Sequence, residues 1–313
     1  MPRISIARLF DDNKSRLQLA WCAGEEGAAK TLDSEFTKDS SKGLIGHLNF
    51  IHPNLIQVLG VSEIQHLDGM EPELCGATLR ELATRELACF IVAGASRVPQ
   101  SLVDAATATA TPLLTSPVTS VELMWMLRPY LARALAECAT VHGVMLDVLG
   151  MGVLITGVSG AGKSELALEL ISRGSGLVAD DVVELYHIAP ETLEGRSPEL
   201  LKDFLEVRGL GMLNIRTIFG ETAVRTKKNL KLIVQMEKPV GGVIPGLERL
   251  PLNASSEDIM GISVRKVLLP VAAGRNLAVL AEAAVRNYVL QLRGIDSTQE
   301  FIQRQEKQLS RRD

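Results

Sequence analysis

In the second half of the chain, short apolar runs and segments with apolar residues at helical spacing follow one another, and this pattern predicts strands and helices in turn. Short apolar runs bounded by glycine or polar residues predict strands at 144–148, 152–156, 177–179 and 230–236. Apolar residues at helical spacing predict a helix over 163–173 that Gly174 ends, and a longer helix over 277–293 that Gly294 ends. Ser297 and Glu300 are expected to cap a last, polar helix. This succession of strands and helices favours an α/β core.

The first part of the chain mixes short helical and strand-like runs. The apolar run 87–93, followed by Gly94, predicts a buried strand. Thr119 and Glu122 have the spacing of a capping box, and they precede apolar residues at helical spacing: Leu123, Met124, Leu127, Leu131 and Leu135. We take this helix as the last element of an N-terminal α/β domain, 1–135, and assign 136–313 to a second domain. The first domain carries no motif, and a role in assembly or regulation is a hypothesis.

Composition narrows the class of protein. A hydrophobic fraction of 46% is ample for buried cores, and the formal net charge of −4 argues against a dedicated nucleic-acid binder, which usually has a basic excess. The four cysteines form no C-x-x-C motif and have no histidine at zinc-ligand spacing. The N-terminus lacks the apolar stretch of a signal peptide, and no apolar run reaches membrane-spanning length. These observations predict a cytoplasmic protein that binds neither nucleic acid nor membrane.

A complete phosphate-binding motif, G-x-x-x-x-G-K-[ST], lies between the strand predicted at 152–156 and the helix predicted over 163–173. It consists of Gly157, Val158, Ser159, Gly160, Ala161, Gly162, Lys163 and Ser164. The glycines permit backbone angles that turn N–H groups toward phosphate oxygens, and the helix directs the positive end of its dipole to the same place. Lys163 adds a charge at the β- and γ-phosphates, and the Ser164 hydroxyl can join the coordination shell of Mg²⁺. The motif predicts an ATP-using phosphotransferase.

Two aspartates follow the strand predicted at 177–179. Asp180 and Asp181 stand where a P-loop protein carries the acidic group that serves its metal. Mg²⁺ prefers oxygen ligands and keeps some of its waters. One aspartate could hold the water shell of the metal while the other accepts a proton from a hydroxyl group. The alternative is a surface pair of aspartates that caps the next turn.

Several segments resemble the HPr kinase/phosphorylase family. Residues 141–181 are similar to it from V-H-G-V-M-L-D-V through the phosphate-binding motif to L-V-A-D-D. The segment 205–215 (LEVRGLGMLNI) resembles the family's signature E-x-R-G-L-G, 248–250 (ERL) its catalytic arginine site, and 270–277 (PVAAGRNL) its P-V-x-x-G-R-N loop. The resemblance covers most of 130–300, and the N-terminal part only loosely.

The resemblance implies an enzyme that phosphorylates a serine of HPr, the phosphocarrier protein of the sugar phosphotransferase system, with ATP or pyrophosphate as donor. It also implies the reverse reaction, in which inorganic phosphate attacks phosphoserine and pyrophosphate is released. Enzymes of this family regulate carbohydrate metabolism and assemble as homohexamers. Their C-terminal domain is a P-loop kinase domain with a core similar to that of phosphoenolpyruvate carboxykinase.

Roles of single residues follow from the resemblance, position by position. Lys163 and the amides of the phosphate-binding motif match the groups that hold the donor phosphates, and Ser164 and Glu206 match the magnesium ligands. Asp181 matches the proton acceptor of the kinase direction, which becomes the proton donor in the reverse direction. The remaining catalytic positions are matched by His142, Arg249 and Arg275.

The chain departs from the family pattern at several positions, and two other functions stay open. Val158 stands where an acid is frequent, Ser175 and Gly176 replace a pair of histidine and a basic residue, and Ala272 and Ala273 replace Arg-Pro in the loop tied to dephosphorylation. One alternative function is a P-loop kinase that acts on a small molecule. The other is a regulator without enzymatic activity, in which ATP binding switches oligomer contacts.

Overall fold

The structure is a computed structural model that describes residues 2–33, 43–84, 87–94, 97–238, 255–272 and 274–309. The chain divides into two compact units, Met1–Glu137 and Cys138–Asp313. Each unit has its own sheets and its own buried clusters. Within the described ranges, no helix combines the length and the apolar character that a membrane crossing requires.

The N-terminal unit contains a five-stranded sheet with helices on both faces. The strands of the unit as a whole are β1 (Arg3–Ser5), β2 (Ala20–Ala23), β3 (Thr31–Asp33), β4 (Ile45–His47), β5 (Ile56–Leu59), β6 (Cys89–Ala93) and β7 (Leu113–Ser116). Its helices are α1 (Ile6–Leu17), α2 (Val61–Asp68), α3 (Pro72–Thr84), α4 (Gln100–Ala108) and α5 (Ser120–Ala134). The sheet order is β2–β7–β6–β5–β4, in which β4 to β7 are parallel and β2 is antiparallel to β7. Strands β1 and β3 form a separate antiparallel pair.

Strand β6 is covered by helices on both faces of the sheet, and every one of its residues is buried. Cys89, Ile91 and Ala93 belong to a cluster that α1 and α5 complete. Phe90 and Val92 belong to a second cluster, to which α2, α3 and α4 contribute. A parallel strand covered on both faces is apolar at successive positions. The run 87–93 was predicted as a strand for this reason, and the structure confirms it with a start two residues later.

The second sheet belongs to the C-terminal unit. Its region of the chain contains β8 (Glu137–His142), β9 (Val144–Val148), β10 (Met151–Gly157), β11 (Gly176–Ala179), β12 (Val182–Ala189), β13 (Thr192–Arg196), β14 (Phe204–Val207), β15 (Gly211–Asn214), β16 (Lys228–Glu237), β17 (Ser255–Ile259) and β18 (Ile262–Pro270). The helices are α6 (Lys163–Ser172), α7 (Ile215–Phe219), α8 (Leu277–Leu292) and α9 (Ser297–Leu309). Within the described part of this unit, nine strands form one sheet of order β11–β9–β10–β16–β13–β12–β8, with β18 beside β16 and β17 beside β18. Strands β14 and β15 form a separate antiparallel hairpin.

Three parallel strands of the larger sheet position the candidate site. β10, β16 and β18 run in the same direction, and their carboxyl ends therefore meet at one edge. Gly157 of β10 pairs with Met236 of β16, and Glu237 pairs with Pro270 of β18. In open α/β sheets, ligands bind at the carboxyl ends of parallel strands. The loop after β10 consequently lies beside Lys238 and Val271, which directly follow β16 and β18.

Helices α6 and α8 cover one face of this sheet. Leu166 and Leu170 of α6 share a buried cluster with Ala281 and Val285 of α8 and with alternate residues of β9 and β10. The cluster on the opposite face is built from strand residues among those described, such as Met145. The α/β class predicted from the sequence is confirmed.

A buried carboxylate holds the strands near β13 together. Glu194 is 3% exposed, and its Oε1 accepts a hydrogen bond from Arg196 Nε at 2.9 Å. Its Oε2 is 3.2 Å from Lys227 Nζ, and the Arg196 guanidinium lies 4.7 Å from the centre of the Tyr186 ring. Burial would raise the pKa of Glu194, but hydrogen bonds and charges from Arg196 and Lys227 outweigh it and hold that pKa below its ordinary value.

Two predicted helix caps have different outcomes. The Thr119 side chain accepts the N–H of Glu122 at 3.3 Å, which confirms the predicted start of α5. The prediction that Ser297 caps α9 is wrong. Asp296 has that role, because its Oδ1 accepts the N–H groups of the second and third residues of α9 at 2.9 and 3.2 Å. Aspartate and serine are both favoured at N-caps, and here the residue before Ser297 supplies the cap.

Candidate active site

The glycine loop, Gly157–Ser164, connects β10 to α6. Gly157, Gly160 and Gly162 have φ angles of 141°, 70° and 93°, which other residues rarely adopt. A side chain at Gly157 would put its Cβ 2.6 Å from the carbonyl oxygen of Met236, and there is therefore no room for one beside β16. Gly162 is the N-cap residue of α6, and the loop thus ends at the positive pole of the helix dipole.

Cationic side chains gather around this loop. Lys163 is the first residue of α6, and its Nζ donates to the carbonyl oxygens of the first two loop residues at 3.1 and 3.4 Å. Lys238 follows β16, and its Nζ donates to the Gly160 carbonyl at 2.7 Å. Arg208 approaches from the segment after β14, with Nη1 3.7 Å from the point that a Cβ on Gly160 would occupy. Amides and cations in this arrangement are suited to a polyphosphate.

Carboxylate side chains belong to the same site as these cations. Asp180 is 6% exposed, and its Oδ2 accepts the backbone N–H of Glu206 at 2.7 Å. Burial raises the pKa of Asp180 above its ordinary value, while hydrogen bonds from the backbone amides of Glu206 and Asp181 act in the opposite direction. Asp181 is exposed and has a left-handed backbone with φ 62°, a conformation that aspartate tolerates better than most residues. Glu206 lies on β14 with its side chain exposed.

These groups line one cleft of about 390 Å³. Its lining comprises Ser159, Gly160, Ala161, Gly162, Lys163, Ser164, Glu165, Asp180, Asp181, Glu206, Arg208, Lys238 and Val271. The structure therefore brings together most of the glycine loop, the predicted proton acceptor Asp181 and the predicted magnesium ligands Ser164 and Glu206. Gly157 and Val158 form the start of the loop, and Val158 is 61% exposed.

His142 lies next to the cleft but is not part of its lining. It is the exposed last residue of β8, and the N–H of the following Gly143 donates to the carbonyl of Asp181 at 3.2 Å. A Cβ on Gly143 would stand 2.6 Å from the Ile155 carbonyl oxygen, which explains why the residue after His142 is glycine. Because Gly143 directly follows His142, this hydrogen bond places the backbone of His142 near Asp181.

Of the two predicted arginines, Arg275 is described by the structure and is not among the residues that line the cleft. Arg275 is exposed in the loop between β18 and α8, where its N–H donates to the Ala272 carbonyl at 3.3 Å. Val271 of the same loop does line the cleft. Asn276, the next residue, caps α8 by accepting the Val279 N–H at 3.0 Å. Arg249 and Ala273 lie outside the described residues.

Sequence reasoning missed several side chains of the cleft. Glu165 and Arg208 were given no role, although Arg208 belongs to the signature segment that carries Glu206. Lys238 was missed because nothing in the sequence pairs β16 with β10, and only that pairing brings its ammonium group to the loop. The hydrogen bond between Asp180 and Glu206 joins residues 26 apart, and it too depends on the tertiary fold.

The donor atoms of the cleft are compatible with Mg²⁺. Among the residues described, no three His, Cys, Asp or Glu side chains converge as an all-protein metal site. The cleft instead offers a hydroxyl at Ser164 and carboxylates at Asp181 and Glu206, next to a loop suited to phosphates. Mg²⁺ is typically bound by one or two carboxylates together with waters and substrate phosphates. The residues present fit that mode of binding.

Comparison with known proteins gives consistent matches along the chain. The family model for the HPr serine kinase C-terminal domain matches residues 133–305, and the model for the HPr serine kinase N terminus matches residues 4–131. The HPr kinase/phosphorylase of Nitrosomonas europaea is 58% identical over 312 residues, which is 99% of this chain and 96% of that protein. The HPr kinase/phosphorylase of Chromobacterium violaceum is 55% identical over 304 residues, which is 97% of this chain and 95% of that protein.

A solved structure, the Hpr(Ser) kinase/phosphatase from Coxiella burnetii, is 39% identical and covers 52% of this chain and 98% of that chain, with a TM-score of 0.47. The two family models adjoin, and the first alone spans more than half of the chain. The curated relatives are similar over nearly the full length. The chain therefore belongs to the HPr kinase/phosphorylase family.

Proposed function

We propose that this enzyme is a bifunctional protein-serine kinase and phosphorylase whose protein substrate is the phosphocarrier HPr. Its relatives are named HPr kinase/phosphorylase, and their similarity extends over nearly the entire chain. The observation that carries the proposal is the single cleft that Lys163 and the loop amides share with Asp181 and Glu206. Phosphoryl transfer requires mainly position and charge neutralisation from a protein, together with a group that takes up a proton.

In the kinase direction, the donor is ATP or pyrophosphate. The serine oxygen of HPr forms a bond to the terminal phosphorus, the bond from that phosphorus to the bridging oxygen breaks, and ADP or phosphate leaves. Asp181 accepts the proton of the serine hydroxyl, which is a poor nucleophile at neutral pH. In the reverse direction, phosphate attacks phosphoserine, Asp181 returns the proton to the serine oxygen, and pyrophosphate leaves.

The other proposed roles follow the position of each residue. Lys163 and the amides of the glycine loop bind the donor phosphates, supported by the helix start at Gly162. Ser164 and Glu206 would hold Mg²⁺, which when bound neutralises charge on the donor phosphates. His142, Arg249 and Arg275 remain proposed catalytic residues. The arginines would stabilise charge on the transferring phosphoryl group.

The remaining proposals concern the whole chain. The strand, glycine loop and helix over Met151–Ser172 support a P-loop kinase core of the phosphoenolpyruvate carboxykinase-like kind in a catalytic domain of 136–313. We assign assembly or regulation to the domain of 1–135, and we propose a homohexamer in the cytoplasm that contributes to the control of carbohydrate metabolism. The net charge of −4 supports a protein that does not bind nucleic acid.

The test is mass spectrometry of purified HPr after incubation with the protein, ATP and Mg²⁺. Phosphoserine on HPr is expected, followed by its loss and release of pyrophosphate when inorganic phosphate is added. Lys163→Ala is expected to abolish both reactions without a change in circular dichroism, because the ammonium group at the donor phosphates is lost. Lys231→Ala, at an exposed position of β16, is the matched control and should retain both reactions.

The alternatives give different results in the same assay. A small-molecule kinase would phosphorylate a small hydroxyl acceptor and leave HPr unmodified. A nucleotide-sensing regulator would bind ATP without turnover, with or without HPr. Turnover of HPr by the Lys163→Ala variant would refute the role of Lys163.

A further inference from the structure

Asp180 connects two parts of the cleft that are far apart in the sequence. It follows β11 at the edge of the nine-stranded sheet, whereas Glu206 lies on the separate hairpin of β14 and β15. The Asp180 Oδ2 accepts the backbone N–H of Glu206 at 2.7 Å. Asp180 is only 6% exposed, and this part-buried hydrogen bond lies at the wall of the cleft.

The hairpin needs such a connection to hold a functional side chain. A two-stranded hairpin is marginally stable by itself. Leu205 and Val207 are buried in the core cluster on either side of Glu206, which directs the Glu206 side chain outward to the cleft. Packing of its two neighbours sets the face of the strand, and the hydrogen bond from its N–H fixes how far the strand lies from Asp180 and the adjacent Asp181.

We infer that Asp180 is a positioning residue, whose carboxylate holds the backbone of Glu206 so that the side chains of Glu206 and Asp181 lie in one cleft. The roles of Glu206 and Asp181 themselves rest on the proposed function. Asp180 acts through the backbone amide of Glu206, for which its carboxylate supplies a hydrogen-bond acceptor. The carbonyl oxygen of an asparagine side chain is also an acceptor and can accept this hydrogen bond.

Two substitutions separate this role from a direct one. Asp180→Ala removes the acceptor, whereas Asp180→Asn keeps a carbonyl oxygen and removes the charge. A direct magnesium ligand or proton acceptor needs the charge, and the two variants would then be equally impaired. Asp258→Ala is the matched control, because Asp258 also accepts a backbone N–H, from Gly261 at 3.1 Å, in a turn at residues that do not line the cleft.

The first measurement is amide hydrogen exchange of the segment Phe204–Val207 in full-length protein without metal or nucleotide. The Glu206 amide is expected to exchange about tenfold faster in Asp180→Ala than in wild type, since one hydrogen bond is lost. Asp180→Asn and Asp258→Ala should exchange within about threefold of wild type. This readout tests the contact and does not depend on any activity.

The second measurement is calorimetric titration of pyrophosphate at graded Mg²⁺ concentrations. The Mg²⁺ concentration for half-maximal binding is expected to rise about tenfold in Asp180→Ala and less than about threefold in Asp180→Asn. Equal loss in both variants, or unchanged exchange and magnesium dependence in Asp180→Ala, would overturn the inference. If Asp180→Ala does not fold, the Asp180→Asn variant decides. Exchange and magnesium dependence like those of the wild type support the inference. A tenfold increase in the exchange rate or in the Mg²⁺ concentration for half-maximal binding overturns it. Absence of pyrophosphate binding by the wild type would instead count against the proposed function.

Discussion

Lys238 leaves the end of β16 and turns back over the glycine loop, so that a second ammonium group lies near that of Lys163. Its Nζ donates to the Gly160 carbonyl at 2.7 Å, and its side chain lines the cleft. Two ammonium groups at one loop can neutralise several negative charges of a polyphosphate. The lysine side chain is flexible, so its ammonium group can leave the loop carbonyl and bind a phosphate oxygen. Lys238, one of the cleft residues that the sequence did not predict, is thus a candidate phosphate contact.

Replacing Lys238 with alanine is expected to weaken binding of magnesium pyrophosphate by about tenfold, the effect of losing one charge-assisted hydrogen bond. The measurement is isothermal titration calorimetry at constant ionic strength. Lys231→Ala removes a lysine from an exposed position of β16, the strand that Lys238 follows, and should leave the dissociation constant unchanged. Equal affinity of the Lys238→Ala variant and the wild type would exclude the contact.

At the scale of residues, the sequence identified the groups that a local motif carries. The glycine loop and the two aspartates after β11 are contiguous, and their chemistry can be read from residue type and spacing. The roles of Asp180 and Lys238 depend on contacts with Glu206 and Gly160, each of which is distant in the sequence. Such contacts follow from the tertiary arrangement of the elements, which a single sequence does not encode in a short pattern.

At the scale of elements, the junction of β10 with the glycine loop is tightly constrained. Gly157→Ala combines a left-handed backbone angle of 141° with a Cβ 2.6 Å from the Met236 carbonyl. We expect a loss of about 3 kcal/mol in the free energy of unfolding, as overpacking adds to the cost of the backbone angle. Urea unfolding of the variant and the wild type measures this loss.

The control for this variant is Gly174→Ala. Gly174 also has a positive φ, 97°, but a Cβ there would meet no atom within 4 Å. The loss is therefore expected to be about 1 kcal/mol, due to the backbone angle alone. Similar losses in the free energy of unfolding for the two variants would show that the structure relieves the close contact with Met236 without a large loss of stability.

Glu194 makes the stability of the β13 region dependent on pH. Its folded-state pKa is depressed, so the stabilisation is present above the unfolded pKa and is lost as the pH falls through the folded pKa. Glu194→Gln is expected to lower the free energy of unfolding by about 2 kcal/mol at pH 7, because hydrogen bonds to charged partners weaken. The difference from wild type should shrink as the pH is lowered below about 4.

Denaturant unfolding at a series of pH values measures this difference. Glu191→Gln is the matched control, since Glu191 is exposed in the turn before β13, and an effect within about 0.5 kcal/mol is expected. A pH-independent difference for Glu194→Gln would mean that packing of the side chain, and not its charge, is what the substitution disturbs.

Elements with strong local signals were predicted well. The strand over Val144–Val148 and the helix that begins at Lys163 appear with the expected starts, because a continuous apolar run and a glycine N-cap are local features. The hairpin of β14 and β15 had no such signal. Gly211–Asn214 is exposed or half-buried throughout, and its pairing with Phe204–Val207 is defined by the fold around it.

At the scale of the whole molecule, the two units differ in the spectroscopic signals they carry. Both tryptophans of the chain, Trp21 and Trp125, belong to the N-terminal unit. Trp21 lies 5.2 Å from the Phe10 ring between ring centres, whereas Trp125 is 82% exposed. Unfolding followed by tryptophan fluorescence therefore reports on the N-terminal unit, and calorimetry reports on both units.

Magnesium pyrophosphate is expected to raise the calorimetric unfolding temperature of the C-terminal unit by roughly 5–10 °C at a concentration about 100 times its dissociation constant. The transition seen by tryptophan fluorescence should stay in place, since the cleft residues belong to the C-terminal unit. Lys163→Ala should show no ligand-dependent change in either signal. A fluorescence transition that moves together with the calorimetric one would show that the two units unfold as one.

The tight turn between β9 and β10 provides a convenient attachment point for a reporter group. Leu149 is half exposed, Gly150 is open to solvent on its Cβ side, and both have positive φ angles typical of a two-residue hairpin turn. Strand β10 separates this turn from the glycine loop by about 20 Å. A dye coupled to a cysteine introduced at Leu149, after replacement of the exposed Cys22 and Cys138, would report on ligand binding without entering the cleft.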